Sequence, residues 1–140
     1  MTAIKREWPP NHAEIVKVFP GARSPSVVFA YAPDIYAPGG TNLPPSLVAH
    51  EQAHIDRQIL IGVEEWWARY LVDKAFRYDE EVIAHAAEYK HLIENAPNRQ
   101  QRRAALKFVA KKLTLPLYGS LVTMQKAMAD ISEEDPFPST

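Results

Sequence analysis

Hydrophobic residues along this chain follow two rhythms, and the change comes near residue 45. Before it, apolar residues form short clusters broken by proline and glycine. Ile15-Val16-Lys17-Val18-Phe19 stops at Pro20-Gly21. Val27-Val28-Phe29-Ala30-Tyr31 and Asp34-Ile35-Tyr36 follow, and Pro38-Gly39-Gly40 then breaks the chain. Runs this short, rich in β-branched and aromatic residues and bounded by turn formers, predict strands. Proline removes backbone donors and fixes φ, so no long helix is expected in this half. Two or three such strands are too few to stand alone. The prediction is a small N-terminal antiparallel sheet packed on the helices that follow.

After residue 45 the apolar spacing is helical. A first helix starts at Pro44 or Pro45, since proline is tolerated in the first turn, and runs to about 61, where Gly62 ends it. Leu47, His50, Glu51, His54 and Gln58 fall on one stripe of it. A second helix, about 63–74, carries Trp66, Trp67, Tyr70 and Leu71, an aromatic stripe read as core. A third covers about 78–94, and Asp79, Glu80 and Glu81 suit the positive end of its dipole. Asn95-Ala96-Pro97-Asn98 is a turn. A fourth helix spans about 99–113, a loop holds Thr114 to Gly119, and a fifth helix covers about 121–131. The acidic, proline-containing stretch 132–140 reads as a loose tail. The expected class is α+β, with one domain over 1–140 and a bundle of about five helices.

Composition narrows the chemistry. A chain of 140 residues is enough for one core. The formal net charge of −1 gives no overall attraction to nucleic acid or anionic membrane, so neither is an expected partner. Arg99, Arg103, Lys107 and Lys111 do recur at i+4 with Arg102 and Lys112 beside them, and this basic face reads as solvated. No leader-like apolar segment opens the chain and no apolar run approaches ~20 residues, which predicts a cytoplasmic protein. There is no cysteine, so any metal must be held by His, Asp or Glu.

One stretch supplies such ligands. His50-Glu51-Gln52-Ala53-His54 reads H-E-x-x-H, and on a helix its two imidazoles lie on one face, a turn apart. Two neutral imidazoles can hold zinc while the adjacent carboxylate takes a proton from an activated water. A catalytic zinc usually has three protein ligands and an open position. The same helix offers no third ligand on that face. The H-E-x-x-H-x-x-G-x-x-H arrangement is excluded, because positions 57 and 60 are Arg57 and Leu60.

Glu81-Val82-Ile83-Ala84-His85, on the third predicted helix, resembles the gluzincin pattern, in which a glutamate on a later helix completes the site. The resemblance covers Leu47 to about Glu88 and extends more weakly to the whole chain, which looks like the compact gluzincin-like proteins of phage and bacterial genomes. It implies a zincin-like core and a zinc-dependent metallopeptidase. Its Zn2+ ligands would be His50, His54 and Glu81, with Glu51 as general base and a peptide or protein as substrate. In phage-encoded form it would act in the host cytoplasm. The family carries an aspartate where this chain has His85, so His85 either contacts substrate or closes the metal site itself. The third ligand ranks as Glu81, then Glu80, then His85. Candidate donors to the reaction's oxyanion are His85, Tyr118, Arg77 and His91, with Arg77 expected to pair with Asp73 or Glu81 instead. The strand 27–31 is the expected rail for an extended peptide. Two competing functions stand beside this one: a non-catalytic or virion-associated binding module on the same fold, and a zinc hydrolase of a non-peptide, cell-wall amide.

Overall fold

The computed structural model describes residues 2–115 and 122–133. It is an α+β arrangement of six α-helices and a three-stranded sheet. Strand β1 (Ile4–Lys5) is followed by α1 (His12–Val18), a 3-10 turn (Pro20–Arg23), and the hairpin strands β2 (Phe29–Tyr31) and β3 (Asp34–Tyr36). Helices α2 (Pro45–Ile61), α3 (Val63–Val72), α4 (Lys74–Ile93), α5 (Arg99–Lys112) and α6 (Met124–Glu133) follow among the described residues.

The first predicted strand is a helix. Strand alternation would have put Lys17 on the same face as Ile15 and Phe19. The i,i+4 spacing instead buries Ile15 and turns Phe19 inward while Lys17 stays in water. The sheet is mixed rather than antiparallel. β3 is central, pairing antiparallel with β2 and parallel with β1, which places Ile4 opposite Ile35. The parallel partner comes from residues too short and too polar to announce themselves as a strand. The hairpin loop is Ala32-Pro33, joined by a cis peptide bond.

The two bounds of α2 fall where proline and glycine predict them, with Gly62 at φ +105°, a conformation that favours glycine. Helix α4 begins four residues before its predicted start. Asp73 caps it by accepting from the Phe76 N–H, so Asp79, Glu80 and Glu81 lie beyond the first turn. Ser132 and Glu133 belong to α6 rather than to a tail, and residues 134–140 lie outside the described residues.

Three apolar clusters hold these parts. Ile15, Phe29, Tyr36, Trp66, Trp67, Tyr70 and Phe76 join α1, the sheet, α3 and the start of α4, so the aromatic stripe is core. Val82, Ala86 and Tyr89 on one face of α4 meet α5 and α6 through Val109, Leu113 and Ile131. Ile55 of α2 sits on Ala30 and Ile35 of the sheet. The remaining face of α4, against α2, is buried but polar: Glu80, Glu81, His85 and Glu88 are each at most 2% exposed. Ala84 is fully buried on this helix, and its small side chain suits a close approach of its neighbours. Among the described residues no helix is long and apolar enough to cross a membrane.

Candidate metal centre

Helix α2 seats its polar stripe because both ends of the stripe have partners. Gln58, fully buried, donates from Nε2 to the Ala30 carbonyl at 2.9 Å and accepts the Ala32 N–H at 2.7 Å. One amide thereby pins α2 to strand β2. Two turns earlier, His50, Glu51 and His54 are 3–6% exposed and face the polar side of α4.

Glu81 is the point on which the imidazoles converge. Its Oε1 lies 3.5 Å from His50 Nε2 and 3.5 Å from His85 Nε2, and its Oε2 lies 3.0 Å from His54 Nε2. Tyr70 donates its hydroxyl to the same Oε2 at 2.7 Å. One ligand atom each from His50, Glu81 and His85 falls within 4.8 Å of the others. His54 reaches the opposite oxygen of Glu81. With metal–donor distances near 2.0–2.2 Å, tetrahedral donors stand about 3.3–3.6 Å apart. The two 3.5 Å separations match that spacing. Glu81 Oε1 is buried with no hydrogen-bond partner among the described residues, as an atom awaiting a cation would be. A set of imidazole and carboxylate donors without thiolate suits zinc.

Glu80, the second-ranked ligand, is engaged elsewhere. Arg57 forks onto it, with Nε 3.0 Å from Oε1 and Nη2 2.9 Å from Oε2, and Trp66 Nε1 donates to Oε1 at 2.8 Å. It locks α2 and α3 to α4. Arg77 pairs with neither Asp73 nor Glu81 among the described contacts. Its Nε donates to the Tyr70 carbonyl at 2.9 Å, where it serves the carbonyl end of α3, and its guanidinium lies 4.8 Å from the Phe19 ring centre. His91 lines neither of the two clefts beside the centre. Tyr118 lies outside the described residues.

Glu88 was not singled out by its sequence position, yet it touches both imidazoles of the tighter triad. Its Oε1 is 3.1 Å from His85 Nδ1 and 3.2 Å from His50 Nδ1, and Lys112 of α5 pairs with its Oε2. The spacing Glu81, His85, Glu88 is a single helical face over two turns, and that was the available signal.

The electrostatics follow from burial among these partners. Burial disfavours charge on His50, but its contacts to Glu81 and Glu88 prevail and push it up to about 10. Burial and the charge of His50 push His85 down to about 4. Burial works to raise both Glu81 and Glu88. The imidazoles of His54 and His50 nonetheless hold Glu81 well below the usual range, and His50, His85 and Lys112 do the same for Glu88. Burial raises Glu51 above the ordinary carboxylate value, against the pull of His50 and His54.

Two clefts open onto this centre. One, about 550 Å³, is walled by Ile15, Phe19, Phe29, Trp66 and Trp67, with His50, Glu51, His54 and Glu81 also lining it. The other, about 580 Å³, is lined by Leu47, His85, Glu88 and Lys112. His50, Glu51, Val27 and Val28 border both. Comparison with protein-family models, with curated proteins and with solved structures gives no match to this chain.

Proposed function

We propose that this chain is a zinc-dependent hydrolase of peptide bonds on a zincin-like core. The reading is carried by one observation: three buried imidazoles converge on the Glu81 carboxylate, and the buried carboxylate of Glu51 stands next to them, its Oε1 3.9 Å from His50 Nε2. His50, Glu81 and one flanking imidazole, His54 from the apolar side or His85 from the polar side, would hold the ion, which leaves a fourth position for water. Bound there, zinc would polarise the scissile carbonyl and render a water nucleophilic near neutral pH.

Glu51 is the base of the reaction. It takes the proton of the attacking water and hands it to the leaving amine. Its burial raises its proton affinity, which suits a group that must accept and then return a proton.

A peptide would reach the centre along the free edge of the sheet. β2 is an edge strand, since β3 lies between it and β1. Farther along, that edge is taken: the Ala30 carbonyl accepts from Gln58 Nε2 and from Trp67 Nε1, and the Ala32 N–H donates to Gln58. Main-chain pairing is therefore confined to the residues before Ala30. Val28, just before β2, borders both clefts and is where a peptide's main chain would pair. Of the residues 27–31 this leaves Val28 for the rail, since β2 begins at Phe29 and the Val27 N–H is bonded to the Ser24 carbonyl.

The test is zinc content followed by Glu51→Gln. The wild-type protein should take up one equivalent of zinc and cleave an unstructured protein substrate. Glu51→Gln should keep the zinc and lose turnover by a factor of at least about 10². A protein that holds less than half an equivalent after reconstitution, or a Glu51→Gln variant that cleaves at the wild-type rate, would overturn the reading.

A further inference from the structure

We infer that Glu88 is the positioning residue of this centre, and that by fixing two imidazoles at once it makes His85 a metal ligand. The inference rests on the metal-site reading above and deepens it.

Glu88 is 1% exposed and sits on α4 one turn beyond His85. Its Oε1 faces two ring nitrogens, His85 Nδ1 at 3.1 Å and His50 Nδ1 at 3.2 Å. The first is a hydrogen bond; the second is within ion-pair range but off the hydrogen-bond line. The ammonium of Lys112 on Oε2 favours the ionised form of Glu88. An ionised carboxylate only accepts. His85 Nδ1, hydrogen-bonded to it, is then the protonated nitrogen of that ring, and its Nε2 is the nitrogen that faces Glu81; the same negative charge 3.2 Å from His50 Nδ1 favours the proton there as well.

Both Nε2 atoms lie 3.5 Å from one oxygen, Glu81 Oε1. With Nε2 deprotonated in both rings, three lone-pair atoms face one spot, and a cation there takes the place of the proton that His50 carries in the metal-free protein. A carboxylate behind a ligating imidazole both orients the ring and strengthens it as a donor. Here a single carboxylate serves rings from two helices, His50 of α2 and His85 of α4. Lys112 ties the arrangement to α5. His85 therefore does not act as a donor to the substrate, because its donor nitrogen is turned away from Glu81 and onto Glu88.

The experiment compares zinc affinity, by competition with a chelating dye, in the wild-type protein and in Glu88→Gln, His85→Ala and His50→Ala. The full-length chain is used, and folding is checked by circular dichroism. Glu88→Gln should weaken zinc by about 10- to 100-fold. An amide can accept from one ring but cannot serve as an anionic acceptor for two. His85→Ala should weaken zinc at least as much. A second readout needs no variant: in the zinc-loaded wild-type protein, long-range proton–nitrogen spectra should show His85 protonated on Nδ1 and bound through Nε2. Zinc affinity unchanged in Glu88→Gln and in His85→Ala but lost in His50→Ala would overturn this inference and leave the hydrolase reading standing. So would a His85 ring protonated on Nε2 in the zinc-loaded protein. A wild-type protein that binds no zinc would overturn both.

Discussion

Neighbouring carboxylates on α4, Glu80 and Glu81, offer the sharpest separation of structural from metal-binding roles. Replacing Glu80 by Ala removes the acceptor of the Arg57 fork and of Trp66 Nε1. Trp66 is 1% exposed, so its N–H would be left dry, at a cost of about 1–3 kcal/mol. Breaking a fully buried ion pair costs about 3–5 kcal/mol. The Arg57 side chain, however, is 33% exposed and can turn back to water, which reduces that part to about 1–2 kcal/mol. The total is about 2–5 kcal/mol. At roughly 3–5 °C per kcal/mol for a chain of this size, Tm should fall by about 6–25 °C. The metal site should survive, because none of these contacts reaches Glu81. Glu81→Ala should do the opposite to the metal. The wild-type protein at a zinc concentration 100-fold above Kd gains about 2.7 kcal/mol, and that rise in Tm should vanish. Thermal unfolding of the three proteins with zinc and with a chelator reads both effects. If Glu80→Ala loses the zinc-dependent rise while Glu81→Ala keeps it, the assignment of these two residues is wrong.

Gln58→Leu should destabilise the protein by about 2–3 kcal/mol in a denaturant titration, since the Ala32 N–H loses its acceptor while the Ala30 carbonyl keeps Trp67; hydrogen exchange at Ala32 should accelerate in parallel, and an unchanged midpoint would contradict the pinning of α2 to β2. Zinc uptake should depend on pH with a definite sign. His50 is raised to about 10 in the metal-free protein, so zinc must displace a proton from it, and apparent affinity should rise about tenfold per pH unit between about pH 6.5 and 9. Calorimetry in buffers of different ionisation enthalpy should show about one proton released per zinc at pH 7.5, and zero release would refute the displacement.

Much of the helical half was legible, because helix boundaries are set by local chemistry. Pro45 and Gly62 fixed α2, and the turn around Pro97 separated α4 from α5. The N-terminal half was less so. Ile15-Val16-Lys17-Val18-Phe19 satisfies both a strand pattern and an i,i+4 pattern over five residues, and only the groove between the sheet and α3 chose the helix. The two-residue β1 carries no pattern at all, and exists because Ile35 and Ala37 offer N–H groups to the Ala3 and Lys5 carbonyls.

The candidate centre divides the same way. Sequence spacing by itself determined that His50, Glu51 and His54 share a helix face, and that Glu81 and His85 share another, since i,i+4 geometry is a property of any α-helix. Only the tertiary structure decided between Glu80 and Glu81. They are adjacent in the chain but about 100° apart around α4, so one meets Arg57 and Trp66 and the other meets the imidazoles. It also brought Glu88 and Lys112 together behind His50, a contact between three helices. No local pattern encodes such a contact, because it depends on how α2 and α5 lie against α4.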